Sequence, residues 1–130
     1  MIRTSEEKKE KQFMANQEVK GDDYQVEYEP ASSTVYFKGD ITLGSPKDYV
    51  PIVKLLDQAA NSDPDTLTLN VKELAFLNSS GISMLSKFVL GMKKKKGTQL
   101  VVLGGKKVPW QGKSLKNLER LLPGLKLVVE

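Results

Sequence analysis

Apolar and polar residues alternate along Tyr24-Gln25-Val26-Glu27-Tyr28-Glu29, which places Tyr24, Val26 and Tyr28 on one face of a strand. Thr34 to Gly39 is a second strand, rich in β-branched and aromatic residues. Pro30-Ala31-Ser32-Ser33 breaks the pattern between them, and this short spacing predicts a hairpin. The period then lengthens. Ser45-Pro46 signals a helix start, with Pro51 in or just past the first turn. Tyr49, Ile52, Val53, Leu56, Ala59 and Ala60 follow on one helical stripe, closed by Asn61 to Asp65. Alternation returns in a strand from Thr66 to Val71, and helical spacing resumes with Ile82, Leu85, Phe88, Val89 and Met92. That second helix runs from about Ser80 to Lys94. Gln99 to Leu103 is almost purely apolar, as in the buried centre of a sheet covered on both faces or a parallel one. A loop follows to Gly112, then a third helix from Lys113 to Leu122 with Ser114 as its cap, a stop at Pro123-Gly124, and a last strand from Leu125 to Val129.

The order is β-β-α-β-α-β-α-β. Strands that alternate with helices pair in parallel through right-handed crossovers. The expected fold is α/β: one mixed sheet, a hairpin leading into a parallel part, with helices packed mainly on one face. Residues 1–22 stand apart as a charged extension, because Glu6 to Lys11 has no apolar face to bury, and the domain is expected over 23–130.

Between the third strand and the second helix lies Asn78-Ser79-Ser80-Gly81. Short polar side chains and glycine suit a turn into a helix, since they bond nearby backbone N–H groups. A helix start also presents unpaired N–H groups and a partial positive charge, a favourable setting for an anion. The bland alternative is that both serines merely cap the helix.

Composition narrows the chemistry. The chain has no Cys and no His, which excludes disulfides, thiolate metal sites, cysteine nucleophiles and the usual Ser-His pair. No catalysis, cofactor or metal is expected. Net charge is +4 but uneven: residues 93–130 hold ten basic and two acidic side chains. Such a bias suits an acidic partner, nucleic acid or anionic lipid, but Lys93-Lys94-Lys95-Lys96 also complements the negative end of a helix that Gly97 stops. Trp110 reads as either a contact anchor or an edge of the core, and Asp63-Pro64-Asp65 as turn chemistry. Gly104-Gly105-Lys106-Lys107 lacks the spacing of a phosphate loop. No apolar run reaches the roughly 20 residues of a membrane span, and the N-terminus has no apolar leader core, so a cytoplasmic protein is expected.

The element order and the stretch Leu74-Ala75-Phe76-Leu77-Asn78-Ser79-Ser80-Gly81-Ile82-Ser83-Met84-Leu85 together resemble the STAS domain, in particular the bacterial anti-sigma factor antagonists, over residues 23–130. That resemblance implies a single STAS-like domain and a non-catalytic regulator of transcription that switches partners. Its partner would be a serine kinase that is also an anti-sigma factor, with a phosphatase reversing the modification. By position the phospho-acceptor falls on Ser80, with Ser79 as the adjacent alternative. The partner-binding residues fall on Asn78, Ser79, Ser80, Gly81, Ile82 and Met84. Asn78 departs from the family, which usually has Asp there; it keeps the hydrogen bonding of the turn but not the charge. Two other readings remain: an unphosphorylated STAS adaptor in a transporter or signalling complex, and a basic binder of nucleic acid or acidic lipid.

Overall fold

The computed structural model describes residues 16–130. Most of the charged run and the apolar pair Phe13-Met14 therefore lie outside the described residues. The strands are β1 (Gln17–Lys20), β2 (Tyr24–Glu29), β3 (Thr34–Ile41), β4 (Thr66–Leu77), β5 (Gln99–Gly104) and β6 (Lys126–Val129). The helices are α1 (Val50–Asn61), α2 (Ser79–Gly91) and α3 (Gln111–Leu121), with single 3₁₀ turns at Pro46–Tyr49 and Met92–Lys94.

All six strands form one sheet in the order β1-β2-β3-β4-β5-β6. The first two pairings are antiparallel and the last three parallel. Each parallel neighbour is also the next strand in sequence, so right-handed crossovers bring every helix to the same face. Burial follows from this. Leu67, Leu69 and Val71 of β4 are buried under the helices, while Thr68 and Asn70 between them are half-exposed. The apolar strand β5 divides the same way. Leu100 and Val102 are buried, Val101 and Leu103 half-buried on the uncovered face. The core is closed from the helix side by Ile52, Leu56 and Ala59 of α1, Leu85 and Val89 of α2, and Leu115 and Leu118 of α3.

Three expected boundaries move. The sheet begins ahead of residue 23, because Gln17–Lys20 pairs with β2 in a register that sets Val19 opposite Val26 and packs it on the core. A four-residue strand is too short for its alternation to be read from the chain. The third strand continues past Val71 to Leu77, with two register irregularities against β3. Its pairing with β5 ends at Asn70↔Leu103, so the remainder has a sheet neighbour on one side only. On the other side the start of α3 supplies the partners. The buried Gln111 amide donates to the carbonyl of Val71 at 2.6 Å and reaches that of Leu74 at 3.3 Å, and its oxygen accepts the Gly105 N–H at 2.8 Å. The Trp110 indole N–H donates to the Leu74 carbonyl at 2.8 Å, which settles that side chain at the edge of the core. Those anchors also start α3 at Gln111, two residues early. Ser114 is therefore inside the helix rather than its cap.

The hairpin is as expected, and its far end needs a glycine. Gly39 has φ +89°, and a side chain there would run into the Asp23 carbonyl. Among the described residues no helix is long and apolar enough to cross a membrane.

Candidate functional site

The serine turn sits at the carboxyl end of β4, where the parallel strands open towards their helices. Asn78 is extended (φ −77°, ψ 175°) and its N–H donates to the Ile41 carbonyl at 3.2 Å, the last rung between β3 and β4. Its side chain is then held three ways. The Oδ1 accepts the Gly81 N–H at 2.9 Å, which caps α2, and the Tyr49 hydroxyl at 2.6 Å. The Nδ2 donates to the Leu43 carbonyl at 2.9 Å. The last bond needs a donor, which a carboxylate lacks. An amide therefore makes all three bonds where a carboxylate could make only two, because the loop after β3 aims a carbonyl at this side chain.

Tyr49 comes from the 3₁₀ turn ahead of α1 and is buried. Burial pushes its phenol above the ordinary value near 10, only partly offset by its hydrogen bonding with the Leu43 backbone and with Asn78. It stays a neutral donor across the physiological range. Gly81 makes room for it. A Cβ at position 81 would run into Leu77 Cδ1 and lie 2.9 Å from the Tyr49 hydroxyl.

The residues singled out in the sequence divide by position. Asn78 and Gly81 turn inward and hold the junction. Ser79, the first helical residue, is exposed. Ser80 is half-buried and faces a groove of about 600 Å³ between α1 and α2, whose floor includes Met84. Ile82 packs partly against the core and does not line that groove. The Ser79 and Ser80 amides precede the first helical bond, Ile82 N–H to the Asn78 carbonyl at 2.9 Å, and have no partner within the helix.

Several neighbours were not singled out in the sequence. Tyr49 read only as part of an apolar stripe, because its hydroxyl partner is 29 residues away. Lys87, Asp57 and Lys95 line the groove, and Phe76, 47% exposed, stands just before the turn. Ser80, Ser83 and Lys87 recur at helical spacing beside the apolar stripe, a signal that was there to find. Among the described residues, no cluster of acidic side chains is suited to hold a metal, and Asp63 of the acidic turn is ion-paired to Lys95 at 3.0 Å.

The chain matches no protein-family model and no curated protein. Among solved structures it is similar to SiaC of Pseudomonas aeruginosa, with a TM-score of 0.68 and 11% identity over 90% of this chain and 98% of that one. It is similar to a chain in the crystal structure of diguanylate cyclase SiaD in complex with its activator SiaC, from the same organism. There the TM-score is 0.67 and the identity 10%, over 87% of this chain and 97% of that one. An anti-sigma factor antagonist from Mycobacterium paratuberculosis matches at a TM-score of 0.54 and 16% identity, over 88% of this chain and 84% of that one. The fold is STAS-like. In this STAS-like domain the serine turn, the 3₁₀ turn of Tyr49 and the groove below them form one continuous face.

Proposed function

We propose that the chain is a non-catalytic regulatory binding protein that exchanges protein partners through reversible phosphorylation of the turn, with Ser80 as acceptor and Ser79 as the adjacent alternative. The observation that carries this reading is the placement of Ser80. It lines the groove from the second residue of α2, on a backbone already fixed by Asn78. A phosphate adds about −1.5 to −2 charges. The first basic side chain along α2 is Lys87, seven residues on and roughly 10 Å away along the axis. The free amides of the first turn can receive the phosphate, and much of its charge faces outward, where it repels a docked partner. The fold shared with an anti-sigma factor antagonist, and with the SiaC structures, supports a regulator that works by binding protein. The partners would be a serine kinase acting as anti-sigma factor, or a similar regulator, and a phosphatase.

Phosphosite mapping after incubation with co-purified kinases, with pull-downs of wild type, Ser80→Ala and Ser80→Asp, tests the reading. Phosphate on Ser80, and partner capture lowered at least tenfold by Ser80→Asp but not by Ser80→Ala, is the expected result. An unmodified turn together with full capture by Ser80→Asp would remove the switch.

A further inference from the structure

The groove has a polarity that the switch alone does not require. It follows α2 from Ser80 to Met92, roughly 18 Å or three helical turns. Its floor is apolar, with Val53 from α1, Met84 and Phe88 from α2, and Met92 from the 3₁₀ turn that follows. Met side chains adapt to varied apolar shapes. Charge gathers at the end away from the serines. Lys87 and Lys95 line the groove; Lys94 and Lys96 are exposed and line a smaller hollow that shares Lys95 with it, and Lys93, also exposed, precedes them in the chain. Of these five only Lys95 is ion-paired among the described residues. Asp57 is the one acidic residue in the lining among the described residues. The serine end carries the positive pole of α2 and the Ser79 and Ser80 amides, which have no backbone partner among the described residues.

We infer that this groove seats a three-turn amphipathic helix of a protein partner, lying antiparallel to α2, with acidic residues in its first turn over the lysines and its carboxyl end at the serine turn. An apolar stripe at i, i+3, i+4 and i+7 fills such a groove. Acidic residues in a first turn also stabilise the incoming helix itself, and its negative pole then meets the positive pole of α2. A bare polyanion has no use for the apolar floor. The chain's own residues 1–15 suit it poorly too, with four basic against three acidic side chains. The inference rests on the reading of this face as partner-binding and specifies the partner's chemistry and direction. A phosphate on Ser80 would then confront the carboxyl end of the bound helix.

The test uses two fluorescein-labelled 14-residue helical peptides of the same composition, one with three glutamates in its first turn and one with them in its last. Each is titrated by anisotropy against the full chain. The expected result is binding of the first, at least threefold weaker binding of the second, and at least tenfold loss of the first in the triple variant Lys93→Glu, Lys94→Glu, Lys96→Glu. Ser83→Trp, an exposed position on the groove wall, should block the first peptide with an unchanged far-UV circular dichroism spectrum. Equal affinity of the two peptides, no binding of the first, or indifference to Ser83→Trp would overturn the inference. Displacement of the peptide by duplex DNA with indifference to Ser83→Trp would overturn it in favour of a polyanion surface. The two readings fail separately. Binding of the first peptide unchanged by Ser80→Asp counts against the switch alone, whereas phosphate mapped to Ser80 without any peptide binding counts against the groove alone.

Discussion

Asn78→Asp isolates one bond of the junction. The carboxylate keeps both acceptor roles, towards the Gly81 N–H and the Tyr49 hydroxyl, and gains from the positive pole of α2. It loses the donor to the Leu43 carbonyl and sets a negative oxygen about where a nitrogen now lies, 2.9 Å from that carbonyl. Leaving a sheltered acceptor unpaired costs roughly 1–3 kcal/mol, while a charge at a helix start returns roughly 0.3–1 kcal/mol. Because this bond is only part-buried, the lower half of the first range applies, and repulsion between the oxygens adds to it. The expected net loss is about 1–2 kcal/mol near neutral pH. Urea unfolding should show it as a lower midpoint at unchanged slope. Below about pH 4 the substituted carboxyl is protonated and can donate to Leu43, so the gap to wild type should narrow. A variant as stable as wild type at pH 7 would refute the account of why this position holds an amide.

Other substitutions at the junction have equally definite outcomes. Gly81→Ala gains helix propensity but drives a methyl into Leu77 and the Tyr49 hydroxyl, so thermal melting should show a net loss of about 1–3 kcal/mol. Tyr49→Phe removes one donor from Asn78 and should cost about 1 kcal/mol. It should also alter the alkaline limb of stability. The folded phenol is raised, so its contribution is whole below pH 10 and is lost as pH rises from there through the folded value; the Phe variant lacks that decline in a pH series of urea midpoints. Gln111→Ala strips partners from the Val71 carbonyl and the Gly105 N–H, and should cost about 2–3 kcal/mol in chemical unfolding.

Much of this fold was readable in the residues, because periodicity reports which face is covered. Val26 and Tyr28 lie inward as their alternation requires, and the stripes of α1 and α2 reach the core. The order of elements was enough to give parallel crossovers on one face. What escaped was set by contacts distant in sequence. Nothing near Leu74 announces that Trp110 and Gln111 will complete its hydrogen bonding, so periodicity alone ends β4 early and starts α3 late. At the site, Ser80 and Met84 were visible through the turn motif and the helical stripe. Tyr49 was hidden because an aromatic residue on an apolar stripe gives no sign that its hydroxyl is engaged. The groove belongs to two helices together, and neither one alone reveals it.

The splice of Gln111 into β4 bears on the order in which the molecule can assemble. Thr66 to Asn70 can be flanked on both sides once β3 and β5 are in place. Val71 to Leu77, which leads directly into the serine turn, must wait for a side chain 40 residues downstream to cover the Val71 carbonyl. A nascent chain released only as far as Gly105 would hold every residue of the turn and still leave that carbonyl bare. The turn's own bonds, to Ile41, Leu43 and Tyr49, come from residues made before it. What waits for α3 is the stretch of β4 that leads into the turn, so the two halves of one strand are secured at different stages of synthesis.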